Sequence, residues 1–268
     1  MPLRRHSDAL ETLYRRYNRE ECVYPDPVAL VRPYRDVRDR EVAGLLAASL
    51  AYGRVTQIHR SVSTALERLG ENPAETVQAE SPRKLRRRLG DFVHRFQRAD
   101  DVARLLAGAG GVLRRFGSLE ACFKAHLTAD SGTVMAGLKG LVGELHNEGA
   151  DGCGHLLADP NRGSACKRLH LFLRWMVRRD AVDPGGWDAS LAEKLLVPMD
   201  VHMHRICLAL GATTRRSADL RAAMEATEAF RRVRPDDPAR YDFALARMGM
   251  EGNRNPAAAL ERLAGDRT

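Results

Sequence analysis

Ser164 to Leu210 reads SACKRLHLFLRWMVRRDAVDPGGWDASLAEKLLVPMDVHMHRICLAL. Its spacing predicts a helix, a glycine-bearing connection containing a short helix, and a second long helix. Ala165, Leu169, Phe172 and Met176 fall at i, i+4, i+7 and i+11, one apolar stripe at helical period. At about 100° per residue, Lys167, Arg174 and Arg178 share the opposite side, which is expected to offer cations to a phosphate backbone. Asp200, two residues after Pro198, is the expected N-cap of the second helix. Met203, Cys207 and Leu210 form that helix's buried stripe.

The remaining composition bounds the class. A chain of 268 residues with 44% hydrophobic residues has ample length for a core. No apolar run approaches the roughly 20 residues of a membrane helix. The opening MPLRRHSDALETLYRRY is charged throughout, unlike a signal peptide. A cytoplasmic protein without membrane contact is expected. Cys22, Cys122, Cys153, Cys166 and Cys207 form no C-x-x-C pair, which argues against a disulfide framework, a zinc ribbon or an iron–sulfur cluster. The net charge of +8 favours a polyanionic partner, nucleic acid first. Arg83, Lys84, Arg86, Arg87 and Arg88 concentrate part of that charge; the alternative reading of this block is a solvated helix face.

Helices are expected over 6–20, from about Asp39 to Gly70 with a break at Tyr52-Gly53-Arg54, and over 82–90, 99–108, 118–127 and 130–146. Pro73 and Pro82 mark helix starts. Residues 147–154, NEGADGCG, are the expected link between two lobes. Ser217 or Asp219 caps a helix running to about Arg232, and Ala239–Met250 form the last. Period-two apolar runs are nearly absent, so the class is all-α.

AASLAYGRVTQ, FVHRF, CKRLHLFLRWMVRRDAVDPGGW, VPMDVH and DDPARYDFAL together resemble a bacterial family of unknown function over about residues 22–250. That family is in turn similar to the helix-hairpin-helix DNA glycosylases, especially those acting on oxidised guanine. Pro198-Met199-Asp200-Val201-His202-Met203 matches their P-x-D-V-H-M run, whose aspartate is catalytic and opens a helix. LLAASLAYGRVTQ is similar to the turn that fills the gap left by a flipped base, with Tyr52, Gly53 and Arg54 in it. FVHRF is similar to a segment near the base pocket, implying His94, Arg95 and Phe96 there, with His202 on the aspartate's helix. The usual hairpin carries a lysine about 20 residues before the aspartate. Here that place reads Asp180-Ala181-Val182-Asp183-Pro184-Gly185-Gly186 and holds none. The archaeal branch places its lysine on the preceding helix, where Lys167 stands.

These resemblances imply an all-α, two-lobed, helix-hairpin-helix glycosylase-like unit spanning 1–268, lobe A about 39–146, lobe B about 1–38 plus 151–268. The implied partner is damaged or distorted duplex DNA, bound by a monomer without cofactor. Lys167 and Asp200 would be catalytic: the carboxylate stabilises charge on the sugar, and the amine displaces the base and holds the sugar as a Schiff base. Arg168, Arg174 and Arg178, with backbone N–H groups of Gly185 and Gly186, would meet phosphates. The plainer readings are a solvated lysine, a helix cap and an ordinary turn. Trp175 and Trp187 are expected in the core. His202 and His204 point about 200° apart on a helix and cannot share a metal, so no metal site is expected. For the acidic set Asp183, Asp188, Asp236, Asp237 and Asp242, capping and salt bridging are expected rather than Mg²⁺. Two rivals remain: a non-catalytic binder of distorted nucleic acid, and a metal-dependent nuclease using Asp200 and the histidines.

Overall fold

The computed structural model describes residues 3–128, 130–250 and 257–260. The second expected lobe extends to 268, so 251–256 and 261–268 of it lie outside the described residues. The helices are α1 (Ser7–Tyr17), α2 (Val37–Ser49), α3 (Val55–Leu69), α4 (Pro73–Ala79) and α5 (Pro82–Leu89). A two-residue pair of strands follows, β1 (Val93–His94) and β2 (Gln97–Arg98). Then come α6 (Ala99–Phe116), α7 (Leu119–Ala125), α8 (Met135–Leu145), α9 (Lys167–Val177), α10 (Val201–Ala209), α11 (Leu220–Arg231) and α12 (Asp242–Met250). Among the described residues the protein is all-α apart from that hairpin.

The centre is α2. After Glu41 its sequence VAGLLAAS offers no charged face, and every residue from Glu41 to Ser49 is buried. A helix apolar all round must be covered all round. It is packed by α3, α4, α6 and, most extensively, α9. The predicted stripe of α9, Leu169, Phe172 and Met176, is buried, and Ala165 just before the helix is buried with it. Phe172 and Met176 meet α2 at Gly44. Trp187 packs edge-on against Phe172 and Trp175 is fully buried, as expected of core residues. Each such side chain contributes about 1.5–3 kcal/mol by leaving water.

The opposite side of α9 is not a solvent face. Arg174 is 1% and Arg178 5% exposed. Arg174 pairs with Asp183 (3.1 Å) and Asp242; Arg178 pairs with Asp180 (2.8 Å), Asp183 and Asp237 (3.0 Å). The expectation that these two arginines meet DNA phosphates is therefore overturned. A buried guanidinium needs carboxylate partners, and four aspartates from the 178–187 connection and the α11–α12 region supply them. The acidic residues accordingly serve basic side chains: Asp236 pairs with Arg234 and Asp188 with Lys124.

Other local differences have local causes. FVHRF, expected without strands, closes a hairpin in which Val93 pairs with Arg98 and His94 with Gln97. The α6 helix runs to Phe116 because Gly108, Gly110 and Gly111 let neighbouring chain approach closely rather than ending it. A Cβ on Gly111 would stand 2.5 Å from Glu148, so the 147–154 stretch is packed onto α6. Asp219, not Ser217, caps α11 by accepting the Ala222 N–H.

Candidate functional site

Two helix starts converge. Lys167 is the first residue of α9 and Asp200 the N-cap of α10. One Asp200 oxygen, Oδ1, accepts the N–H groups of His202 (2.9 Å) and Met203 (2.8 Å). The other, Oδ2, accepts from Lys167 Nζ at 2.7 Å. Burial raises the Asp200 carboxyl, but the Lys167 ammonium and these amides outweigh it and hold the pKa below the ordinary value. Lys167 remains 37% and Asp200 27% exposed, so a ligand can reach the pair. Cys166, immediately before Lys167, is in the left-handed region at φ +43°, which aims the start of α9 at a cost of about 1–3 kcal/mol.

Through Arg168, the residue after Lys167, α9 also meets the turn between α2 and α3. Gly53 has φ +96°, and Arg95 of the hairpin, itself at φ +55°, crowds the space a Cβ there would occupy. Arg54 is exposed, whereas Tyr52 is half-buried. The Tyr52 ring meets His94 edge-on at 4.8 Å, and the Arg168 guanidinium lies 5.1 Å from its centroid. His94 is fully buried, bonded to Ser61 Oγ (2.9 Å) and the Tyr52 carbonyl (3.1 Å). It braces the turn instead of lining a base pocket, correcting that expectation. Phe96 is likewise not in a pocket; it is 77% exposed at the hairpin tip, with Arg95 over its ring. Arg168 donates to the carbonyls of Ser49 and His155, joining the turn to α9. Thus Tyr52, Gly53, Arg54, His94, Arg95 and Arg168 form one neighbourhood, next in sequence to Lys167.

The 178–187 connection departs from the expectation. The Gly185 N–H is not offered to a phosphate: it donates to the Trp175 carbonyl at 3.0 Å. The Gly185 carbonyl accepts from Arg40, and Gly186, at φ +129°, is exposed. No α-helix starts there; a 3-10 helix begins at Ala189. His202 is exposed and His204 is turned inward to the Arg215 carbonyl (2.9 Å), so the two diverge. Among the described residues no three His, Cys, Asp or Glu side chains are placed to hold a metal ion. Among the same residues no helix is long and apolar enough to cross a membrane.

Asp242, expected to form a salt bridge, does so with Arg174, and its charge also acts on Lys167 and Asp200. Other groups were not singled out by the sequence. His170 stands one turn along α9 from Lys167, fully buried, and neither ring nitrogen has a hydrogen-bond partner among the described residues. Burial pushes its pKa down to about 4, so it is neutral. Glu41 accepts Leu119 N–H, Glu120 N–H (both 2.9 Å) and Trp187 Nε1–H (2.8 Å). No local spacing signals these, because the partners of Glu41 are distant in sequence and His170 has none among the described residues.

Residues 26–251 match the model of a family described as a protein of unknown function, DUF2400. The chain belongs to that family. No curated protein and no solved structure matches it. The match covers both members of the Lys167–Asp200 pair, the Tyr52 turn and the hairpin, so the whole neighbourhood lies inside the family region.

Proposed function

We propose that the chain is a DNA base-excision enzyme of the helix-hairpin-helix glycosylase type, with Lys167 as nucleophile and Asp200 as its electrostatic partner. The observation that carries this reading is the 2.7 Å contact between Lys167 Nζ and Asp200 Oδ2 at two convergent helix starts. In the reaction, Lys167 must first give up a proton to solvent, since a paired ammonium has no free electron pair. The amine nitrogen then bonds to the sugar C1′ while the C1′–base bond breaks. That bond's electrons leave with the base, which takes up a proton. Ring opening yields the Schiff base, whose collapse can nick the strand. As Lys167 turns to the sugar, Asp200 Oδ2 is freed to face the positive charge developing there, while Oδ1 stays anchored to α10. Arg54 and Phe96, both exposed beside the Tyr52 turn, support a role in holding a duplex with one base turned out.

The test is incubation with duplexes carrying defined base lesions, with borohydride present to reduce any Schiff base, and with and without EDTA. A covalent protein–DNA adduct lost in Lys167→Gln is the expected result. Activity abolished by EDTA would transfer the reading to a metal-dependent nuclease. A second reading, a non-cutting binder of distorted nucleic acid, is favoured by the Gly185 N–H being spent on Trp175 and by the lysine-free hairpin. Binding without adduct or free base on any lesion would establish it.

A further inference from the structure

Arg168 also borders a cavity of about 570 Å³, between α8, the 3-10 turns Gly154–Leu156 and Pro160–Arg162, and the start of α9. Lys139, Arg162 and Arg168 line it with the imidazoles of His146 and His155, and Val142 and Leu157, both largely buried, supply its apolar lining. Asp159, its one carboxylate, is already engaged. Its Oδ1 accepts the Asn161 N–H at 2.9 Å and its Oδ2 lies 3.4 Å from Arg162 Nε. Arg168 is held by two neutral carbonyls and an aromatic face, which fix its position without cancelling its charge. Neither Arg168 nor Lys139 forms an ion pair with a described carboxylate.

A fixed guanidinium and the unpaired Lys139, with Arg162 shared with Asp159, select an anion with several oxygens at an opening of this kind, above all phosphate. Small organic ligands occupy pockets of roughly 300–1,000 Å³, so the space exceeds what a bare phosphate ion needs. The apolar lining is also of no use to an inorganic ion. We propose that this cavity binds a nucleotide, its phosphate held by Lys139, Arg162 and Arg168 and its base against Val142 and Leu157. The nucleotide is either free or the phosphorylated end of a strand. This site goes beyond the base-excision reading and needs no nucleophilic Lys167.

The full chain would be titrated with a deoxynucleoside 5′-monophosphate, the matching deoxynucleoside, inorganic phosphate and a 5′-phosphorylated single strand. Calorimetry and the His155 imidazole C–H resonance provide the readouts. The monophosphate is expected to bind at least tenfold tighter than the nucleoside and than phosphate, and to shift His155. Lys139→Glu combined with Arg162→Glu, both at exposed positions, should weaken it at least tenfold while leaving the thermal melt in place. Lys167→Gln should bind it as the wild type does. Equal binding of nucleoside or of inorganic phosphate would overturn the proposal. So would an unaffected double variant, or a loss confined to Lys167→Gln, which would put the nucleotide at the Lys167 pair. Tighter binding of the strand than of the monomer assigns the strand end, the reverse order assigns a free nucleotide, and either supports the cavity. A failed borohydride trap alongside tight nucleotide binding would remove the glycosylase reading and leave this one standing.

Discussion

At the scale of single residues, Asp200 separates two roles between its two oxygens. Asparagine at 200 can still accept the His202 and Met203 N–H groups, so Asp200→Asn should melt close to the wild type. Asp200→Ala loses the cap and should cost about 1 kcal/mol. Both should slow base release about a hundredfold or more, because the carboxylate facing the sugar is gone. If Asp200→Asn releases base at the wild-type rate, Asp200 is only a cap. Two buried groups make opposite pH predictions. Glu41 is pushed by burial up to about 7, above its ordinary 4.5. A raised carboxyl contributes stability below its unfolded pKa and loses it as pH climbs from about 4.5 through 7. His170 is depressed to about 4 from 6.5, so its contribution is present above 6.5 and lost as pH falls through 4. Each shift amounts to about 3 kcal/mol across its window. Denaturation curves between pH 4 and 8 should therefore lose the alkaline-side decline in Glu41→Gln and the acid-side decline in His170→Leu. Unchanged slopes in these variants would refute both assignments. His170→Leu should also gain stability near pH 7, since it removes two buried nitrogens with no partner.

At the scale of elements, α9 shows what spacing reveals and what it hides. Its apolar stripe was readable because leucine, phenylalanine and methionine at helical period on one face of a helix are most simply used to pack a core. The arginines opposite were not, since a solvent face and a buried ion network share the same period. The answer lies in Asp180, Asp183, Asp237 and Asp242, two of them some 60 residues away. Removing one member of a buried network strands the others, so Arg174→Ala should cost about 3–5 kcal/mol in urea denaturation. An exposed arginine such as Arg87, changed to alanine, should stay within about 0.5 kcal/mol. Equal small losses for both would return Arg174 to the surface. The same distinction separates the rest of the site. Glycine in a helical pattern disclosed the turn at Gly53, and Asp200 after Pro198 disclosed its cap. The two-residue strands around Arg95 are too short to leave a period, and the neutral His170 leaves no pattern at all. The cavity lined by Lys139, His155, Arg162 and Arg168 is assembled from separate segments that nothing in the sequence joins. The pairing of Lys167 with Asp200 came from the resemblance to known motifs, not from spacing, and the fold brings the two within hydrogen-bond reach.

At the scale of the molecule, burial of Arg174 and Arg178 subtracts from the charge available to a polyanion, and the surface must supply it elsewhere. The α3 helix has 15 residues and so runs about 22 Å. Its start follows Arg54; its end reaches α5, where Arg68 bonds to the Leu89 carbonyl and to Asp91. Of the basic block on α5, Arg86 is taken by Asp100 and Arg88 by Glu80. Arg83 and Arg87, one turn apart, have no ion pair among the described residues and are exposed. A duplex lying along α3 would thus meet cations at both ends, about six base-pair steps apart at about 3.4 Å each. Each arginine that neutralises a phosphate releases counterion and adds about 0.9 to the slope of log K against log salt. Anisotropy titrations on lesion-bearing duplex between about 50 and 200 mM potassium chloride should show a steep wild-type slope. In Arg83→Ala combined with Arg87→Ala the slope should fall by about 1.8, while the borohydride adduct still forms at saturating DNA. An unchanged slope would mean that α5 is simply a solvated helix and the duplex does not follow α3. A flat wild-type response would remove nucleic acid as the partner of the Lys167–Asp200 site altogether.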